Sequence, residues 1–369
     1  MEFIDLRTQL LEVRADVDKA IARVLNHGKF VLGPEVDMLE VRLGARVGAH
    51  CVTCANGTDA LLIAMMAVGV GPGDEVVLPA FGYIAALEAT LMLGATPRFV
   101  DIDPATYNID TAKLEQIVGR ETKAIVAISL FGQCADIDAC NQIAARYQAT
   151  VIEDAAQSFG ATYKGRQSGS LSSIATTSFF PSKPLGCYGD GGAIFTQDES
   201  MAQLCRKISR HGQSSRYHHE VLGMNSRLDT IQAAILLEKL NIFDRELINR
   251  RQIADKYSEA FEGMGQGLVT PKVGVDNISN WAQYTLRHNQ RDEIIRKLNG
   301  EGIPTAIHYP SSLTMTPYLR GEQSSAPISR QISNEVFSIP MHAYLSAENQ
   351  EQIISAVKTT TTNIVETIR

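Results

Sequence analysis

Lys183 is the residue whose surroundings most favour a chemical role, because it stands alone in a long uncharged stretch of the sequence. Pro181 and Pro184 flank it, and a glycine-rich segment, 186–192, follows. A lysine away from other charges and from water loses its proton readily, and the neutral amine can form a Schiff base with a carbonyl. A purely structural lysine in a loop is the alternative that this segment leaves open.

Two adjacent acids, Glu153 and Asp154, end an apolar run that starts at Val151. A carboxylate beside a ring nitrogen keeps that nitrogen protonated, because the opposite charges stabilise each other. One acid at this point could instead cap the next helix. The pattern therefore predicts either a partner for a heterocyclic cation or a helix cap.

A possible phosphate site is predicted around Thr58 and Asp59, which open a helical pattern after Asn56 and Gly57. The free N–H groups and the dipole of a helix N-terminus favour an anion. A helix cap explains the same residue types equally well.

Together, the three positions meet the needs of pyridoxal 5'-phosphate (PLP). Its phosphate needs hydrogen-bond donors, its ring nitrogen needs an acid and its aldehyde needs an amine. Thr58, the Glu153–Asp154 pair and Lys183 supply these groups in that order along the chain, and the resemblance described below favours Asp154 over Glu153.

Apolar runs alternate with helical patterns through the first half of the chain, which predicts a mostly parallel central sheet flanked by helices. In such α/β folds, ligands bind beyond the carboxyl ends of the strands, where the three positions would meet. The predicted strands are 75–79, 96–100, 123–128, 149–153, 175–179, 192–196 and 304–308. The predicted helices are 59–68, 84–93, 111–118, 136–147, one long helix over 229–261, 290–298 and 346–368.

We expect two domains, a large cofactor-binding domain over 1–240 and a smaller C-terminal α+β domain over 241–369. The glycines of 69–73 are interpreted as a turn after a helix, because no strand precedes them as in a dinucleotide-binding loop.

The composition argues against several classes of protein. With 34 Lys and Arg against 41 Asp and Glu, the net charge is −7, which disfavours a nucleic-acid binder. The sequence contains neither a secretory signal pattern nor a stretch typical of a membrane span. Cys51 and Cys54 have metal-like spacing but lack a second ligand pair, so we predict no metal site and a cytoplasmic protein with reduced thiols.

The sequence resembles the DegT/DnrJ-type nucleotide-sugar aminotransferases, within the fold-type I PLP enzymes, along nearly its whole length. The motifs that carry the resemblance are Gly33-Pro34, Asn56-Gly57-Thr58-Asp59-Ala60-Leu61, Gly73-Asp74-Glu75-Val76, Phe81-Gly82-Tyr83, Asp101-Ile102-Asp103, Gly132-Gln133, Glu153-Asp154-Ala155-Ala156-Gln157-Ser158, Ser178 with Lys183, Gly189-Asp190-Gly191-Gly192-Ala193, Gly223 with Asn225 and Arg227, and His308-Tyr309-Pro310.

The resemblance implies a role for each cofactor-binding residue. Lys183 would bind the cofactor aldehyde and move protons, and Asp154 would pair with the ring nitrogen. Gln157 would lie near the ring hydroxyl and Tyr83 would stack on the ring. The phosphate would be held by Thr58, Asp59, Ser178 and, from the partner subunit of a homodimer with shared active sites, Asn225.

Phe180 and Asp190 replace a histidine and a glutamate that are frequent in the family. Both replacements resemble a narrower branch, whose members aminate the 3-keto form of UDP-N-acetylglucosaminuronic acid with glutamate for surface polysaccharide (O-antigen) precursors. Amination at C4 and a non-catalytic PLP-binding regulator remain as alternatives, and Lys183 argues against the dehydratases of the family, which carry a histidine there.

A basic segment, 206–219, supports an anionic substrate independently, because it carries four Lys or Arg, three histidines and no acid. A solvated helix face is the alternative for Arg206 and Lys207, whereas 212–219 is predicted to be a loop over a ligand. The substrate-binding candidates are Lys29, His211, Arg216, Arg227, His308 and Tyr309.

Overall fold

The computed structural model describes residues 1–265, 267–319 and 325–368, with the backbone alone for 365–368. The helices are α1 (Leu6–His27), α2 (Pro34–Val47), α3 (Gly57–Ala67), α4 (Ala85–Met92), α5 (Thr111–Ile117), α6 (Ile137–Ala145), α7 (Glu199–Ile208), α8 (Thr230–Leu240), α9 (Phe243–Phe261), α10 (Arg291–Gly300), α11 (Pro327–Glu335) and α12 (Ala347–Ile368). The strands are β1 (His50–Cys54), β2 (Glu75–Pro79), β3 (Thr96–Val100), β4 (Thr122–Ile128), β5 (Thr150–Asp154), β6 (Thr162–Tyr163), β7 (Arg166–Gln167), β8 (Ile174–Ser178), β9 (Gly192–Thr196), β10 (Gln213–Ser215), β11 (His218–His219), β12 (Asn277–Ile278), β13 (Tyr284–Arg287) and β14 (Val336–Ile339).

The central sheet of the described chain has seven strands in the order β1-β9-β8-β5-β4-β2-β3. Strand β9 is antiparallel to both of its neighbours, and the other pairs are parallel. The mostly parallel α/β architecture predicted from the sequence is therefore confirmed. The carboxyl ends of β1, β5 and β8 lie at one edge, so the residues that follow them converge.

Both faces of the sheet are covered, which explains the continuous apolar character of its strands. Side chains alternate between the faces with period two. Val76 and Leu78 of β2 pack into one buried cluster with α3 and α4, whereas Val77 packs into another with α5 and α6. The sheet is thus a rigid platform whose edge positions the site.

A separate buried cluster covers the last third of the chain and contains residues only from 253 to 364. It joins α9, α10 and α12 to the antiparallel pair β13–β14. The proposed division of the chain at residue 240 stays a prediction.

Two sequence predictions about this region were wrong. The helix predicted over 229–261 is two helices, because the chain turns at Asn241 and Ile242, where the Asn241 N–H bonds the carbonyls of Glu238 and Lys239. The strand predicted at 304–308 is only an isolated bridge between Ala306 and Ser338, and a cis peptide bond joins His308 to Tyr309.

The other predicted strands are present within one or two residues, and the glycines of 69–73 follow the C-terminus of α3, as predicted. Helices α1, α2, α7 and α11 were not predicted, although Val13, Val17, Ala20 and Val24 form a buried stripe at helical spacing in α1. In the described residues, no helix has both the length and the apolar character needed to cross a membrane.

Candidate active site

Asp154 ends strand β5 at the carboxyl edge of the sheet, with its side chain buried. One carboxylate oxygen accepts the Ala156 N–H at 3.0 Å. Burial raises the pKa of this carboxyl group, and the nearby positive charge of Lys183 opposes that shift. The carboxylate is thus positioned at the edge of the sheet, with the lysine amine near enough to interact.

Glu153, the neighbouring acid, is fully buried and serves the structure. It accepts hydrogen bonds from the Ser168 hydroxyl at 2.8 Å and from the N–H groups of Gly169 and Leu171 at 2.9 and 3.0 Å. These bonds hold the turn that leads into β8. The choice of Asp154 over Glu153 for the site is therefore consistent with the geometry.

Lys183 lies in the compact loop that follows β8, where its N–H bonds the Phe180 carbonyl at 2.8 Å. Burial lowers the pKa of the Lys183 amine, and Asp154 opposes that shift. The lowered pKa increases the fraction of neutral, nucleophilic amine at neutral pH.

The N-terminus of α3 lies directly against Ser178 at the end of β8. Asn56 caps the helix by accepting the Asp59 N–H at 2.8 Å, so the cap interpretation is confirmed. The cap uses only this one N–H of the first turn, and the phosphate site stays a prediction. A Cβ atom at Gly57 would lie 2.7 Å from the Ser178 Cβ, so only glycine allows this approach. The first turn of α3, with Thr58, and the Ser178 hydroxyl thus form one cradle.

Gln157, Tyr309 and His308 form a connected wall of the site. The Gln157 amide donates to the Tyr309 hydroxyl at 2.8 Å, and His308 Nδ1 lies 3.1 Å from the Ser338 hydroxyl. Burial and the charge of Lys183 lower the pKa of His308 to about 4, so its ring is neutral at physiological pH. Tyr83 is half exposed, with its ring centroid 6.0 Å from that of Tyr309.

The segment that carries Asn225 and Arg227 is anchored next to the α3 cradle. The hydroxyl of Ser226, between them, accepts the Ala55 N–H at 3.1 Å. Asn225 itself is exposed, and Arg227 is partly buried. Burial and the charges of Arg206 and Arg227 lower the pKa of Arg210, against the opposing effect of the acids Glu40 and Asp37, so both signs of charge surround it.

Lys29, His211 and Arg216 are exposed in the isolated chain. Their observed contacts lie outside the Asp154–Lys183 group: the Lys29 N–H bonds His27, the His211 carbonyl lies 2.7 Å from His219 Nδ1, and Arg216 stacks on Tyr217.

The structure corrects one expectation about the basic segment, 206–219, and decides between two alternatives for another part of it. The loop predicted over 212–219 contains the hairpin β10–β11. Arg206 and Lys207 lie on α7 and pair with Glu40 and Glu220, each at 2.7 Å. Because acids distant in sequence neutralise these two cations, the alternative of a helix face fits them better.

Sequence reasoning missed two residues next to the site. Phe3 packs its ring 6.1 Å from that of His308, and the buried Asn280 donates to the carbonyl of Gln157 at 2.9 Å. Both contacts join segments far apart in sequence, so no local pattern indicated them.

The cysteine pair Cys51 and Cys54 is fully buried, and burial raises both thiol pKa values. In the described residues, no group of three or more His, Cys, Asp or Glu side chains could hold a metal ion.

The donor set fits PLP. The cradle of α3 and Ser178, in which a Cβ at Gly57 would collide, offers N–H and O–H donors to a phosphate. Asp154 offers a carboxylate to a ring nitrogen, and Lys183 offers an amine to an aldehyde.

Curated relatives match the whole chain. A UDP-2-acetamido-2-deoxy-3-oxo-D-glucuronate aminotransferase from Pseudomonas aeruginosa is 52% identical over 97% of this chain and 99% of its own. A UDP-N-acetyl-3-dehydro-alpha-D-glucosamine 3-aminotransferase from Acidithiobacillus ferrooxidans is 37% identical over 97% of both chains. A protein named a pleiotropic regulatory protein, from Geobacillus stearothermophilus, is 41% identical over 96% of both chains.

Solved structures share the fold. A DegT DnrJ EryC1 StrS aminotransferase from Brucella abortus superposes with a TM-score of 0.93 at 39% identity, covering 97% of this chain and 99% of its own. NtdA from Bacillus subtilis, solved with bound cofactor PMP, gives 0.89 at 30% identity, covering 95% of this chain and 82% of its own.

The family model of the DegT/DnrJ/EryC1/StrS aminotransferases matches residues 12–358, which is most of the chain and includes the residues that surround Lys183. The chain therefore belongs to the DegT/DnrJ/EryC1/StrS aminotransferase family.

Proposed function

We propose that this aminotransferase uses PLP to move an amino group from L-glutamate to the C3 ketone of UDP-N-acetyl-3-oxo-glucosaminuronic acid. The observation that carries this proposal is the 52% identity, over nearly the full length of both chains, to a protein named for that substrate. The product would serve as a precursor of surface polysaccharide such as O-antigen. The six free thiols suit a reducing compartment, so we expect the enzyme in the cytoplasm.

The positions of the residues support the roles that the family resemblance implies for them. When bound, PLP supplies an electron sink that lets an amino group pass between two substrates. Lys183 would accept the α-carbon proton of the amino donor and return a proton on the cofactor side. Asp154 would keep the ring nitrogen protonated. The free N–H groups in the first turn of α3, with that of Thr58, and the Ser178 hydroxyl would hold the phosphate. Asp59, whose N–H the Asn56 cap already takes, would lie beside them rather than donate to the phosphate.

Gln157 and Tyr83 would orient the ring. Gln157, which is buried, and Tyr83, which is half exposed, would contact it from opposite sides. His308 and Tyr309 would face the sugar, and a hydrogen bond from Gln157 holds the Tyr309 hydroxyl.

The proposed site is completed by a second copy of the chain. Asn225 is exposed in the single chain although its segment is anchored beside the α3 cradle through Ser226. We infer that Asn225 contacts the cofactor phosphate in the partner subunit of a homodimer. Lys29, His211, Arg216 and Arg227 would supply cationic groups to the nucleotide diphosphate and the uronate.

A regulatory role is the second candidate, because a relative at 41% identity is named a pleiotropic regulatory protein. The intact set of Lys183, Asp154 and Gln157 is what a transaminase requires, so we favour catalysis. A half-reaction with an amino donor separates the two functions.

The test is a pair of colour changes in the purified protein. We expect it to be yellow with PLP, to bleach with glutamate and to regain its colour with the correct keto-sugar. A panel of UDP-linked 3-keto and 4-keto sugars identifies the acceptor. If no amino acid bleaches the yellow protein, the result favours a non-catalytic regulator. If only 4-keto sugars restore the colour, the assignment of the C3 ketone is contradicted.

Lys183→Ala should abolish both colour changes, because no other amine takes its place. Lys239→Met is the matched control, since Lys239 is also a buried lysine, with a pKa lowered by burial to about 8. Turnover that persists in Lys183→Ala would refute the lysine assignment.

A further inference from the structure

Gln157 uses both ends of its side-chain amide to join two segments of the site. Its oxygen accepts the Phe131 N–H at 2.8 Å, and its nitrogen donates to the Tyr309 hydroxyl at 2.8 Å. Phe131 has a φ of +58°, a conformation rare for a residue with a side chain. The direction of the Gln157 side chain therefore depends on how firmly its own backbone is held.

Asn280 holds that backbone. Its buried side-chain nitrogen donates to the carbonyls of Gln157 and Phe159, each at 2.9 Å, so it spans the turn that carries Gln157. Its own N–H bonds the Gly132 carbonyl at 3.0 Å. One residue from the C-terminal part of the chain thus fixes both the turn after β5 and the loop after β4.

The backbone at Gly132 and the residues Asn280 and Trp281 approach each other so closely that neither side can shift alone. Gly132 has a φ of +104°, and a Cβ there would lie 2.4 Å from Asn280 Oδ1 and 2.7 Å from the Trp281 nitrogen. The Ser279 hydroxyl also bonds the Gly132 carbonyl at 3.0 Å. Because the contact is this close, the position of Asn280 is tightly coupled to the position of the Phe131–Gly132 loop.

We propose that Asn280 is a positioning residue of the active site, which acts through Gln157 to aim the side-chain amide at the cofactor ring and at Tyr309. The inference rests on the proposed function, because Gln157 has a role at the ring only if the chain binds PLP. Without the two bonds from Asn280, the turn at 155–159 can shift, and the amide of Gln157 loses its alignment with Phe131 and Tyr309.

A double-mutant cycle tests this dependence. We expect Asn280→Ala to slow the half-reaction with glutamate by about tenfold or more and to shift the pH midpoint of the bound cofactor's visible absorbance. In the Gln157→Ala background, the same change should cost less than about twofold, because the residue through which it acts is gone. The proposal would be overturned if Asn280→Ala slowed the half-reaction by the same factor in the wild type and in the Gln157→Ala variant.

Hydrogen exchange gives a readout that needs no cofactor. The Phe131 amide, which donates to Gln157, should exchange faster in Asn280→Ala, as measured by mass spectrometry on a peptide covering 129–133. Unchanged exchange would overturn the link between Asn280 and Gln157. If the wild-type protein shows no colour with PLP, the proposed function fails. The exchange rate of the Phe131 amide still tells whether Asn280 holds Gln157 in place.

Two further variants guard against a trivial loss of folding. Asn280→Asp keeps the shape of the side chain but places an oxygen against the carbonyls of Gln157 and Phe159, so it should reproduce the catalytic loss. Because a buried carboxyl group at this point also lowers stability, its activity is compared with that of the wild type at a temperature where circular dichroism shows both proteins folded. Asn277→Ala is the matched control. Asn277 lies in the same segment as Asn280, but its side-chain oxygen accepts the Cys134 N–H at 3.1 Å instead of contacting the turn that carries Gln157. Normal catalysis in Asn280→Asp, or an equal absorbance shift in Asn277→Ala, would refute the proposal.

Discussion

Glu153 and Asp154 show how two adjacent acids take different tasks at the end of one strand. Successive side chains of a strand point to opposite faces, so the two carboxylates face different surroundings. Glu153 accepts three hydrogen bonds from the Ser168–Leu171 turn, whereas Asp154 accepts one from Ala156 and lies near Lys183. The carboxylate with fewer bonds within the protein is the one free to pair with a ligand.

Arg227→Gln should weaken the binding of the UDP-keto-sugar much more than the binding of PLP. A charge-assisted hydrogen bond contributes about 1.5–3 kcal/mol, so KM for the sugar should rise by roughly 10-fold to 100-fold. The measurement is KM from the return of visible absorbance, with the PLP dissociation constant in parallel. The exposed Arg120→Gln serves as the control, and equal loss of sugar and PLP binding would contradict the role of Arg227.

His342→Gln should make the free energy of unfolding less sensitive to acid. Burial and the charge of Arg250 lower the pKa of His342 to about 4, against the opposing effect of Asp5. Between pH 6.5 and 4 the unfolded chain therefore binds a proton that the folded chain does not, so stability falls as the pH falls through this range.

Urea unfolding at pH 7.5 and at pH 5 measures this difference. The loss attributable to His342 should be on the order of 2 kcal/mol, and the variant should lack it. An equal fall in wild type and variant would show that His342 does not titrate in this way.

At the scale of elements, the cradle depends on how α3 begins. Asn56 caps the helix, Gly57 permits contact with Ser178, and Ser226 holds the residue before the cap. These contacts come from three separate parts of the chain. The helix N-terminus is therefore held in place before any ligand binds, which limits the entropy lost on binding.

Asn56→Ala should lower both stability and cofactor affinity. Loss of the cap costs about 1 kcal/mol of unfolding free energy, and a frayed first turn presents its N–H groups less well to a phosphate. Urea unfolding and a PLP titration measure the two effects. Asp198→Ala removes a similar cap from α7 and should reduce stability alone; unchanged PLP affinity in Asn56→Ala would refute the proposed cradle.

At the scale of the whole molecule, Asn225 is exposed in the single chain, and we propose that a second copy of the chain covers it. Four apolar side chains are also exposed on segments that lie near Asn225 in sequence or are linked to its segment. They are Phe30, Val31, Tyr217 and Leu222. Apolar side chains exposed around a polar functional residue are typical of a surface that a partner covers.

Complementation between two inactive variants tests the shared site. Lys183→Ala and Asn225→Ala should each be inactive alone, but mixed dimers would contain one intact site. With random exchange of subunits, about a quarter of the wild-type sites should return, since half of the dimers are mixed. The assay is aminotransferase activity after the subunits have been exchanged. Absence of recovery in demonstrated mixed dimers would show that Asn225 acts within its own chain.

The sequence by itself determined the α/β class and most strands of the sheet, through local periodicity, and it indicated Lys183 because no other charge lies near it in the sequence. Gln157, and the choice of Asp154 over Glu153, became site candidates through the resemblance to the DegT/DnrJ-type family. Only the tertiary structure decided that Glu153 anchors a turn, that Glu40 and Glu220 neutralise Arg206 and Lys207, and that Asn280 supports Gln157. Each of these depends on residues separated by 13 to 166 positions in the sequence, and such contacts leave no periodic signal in the sequence.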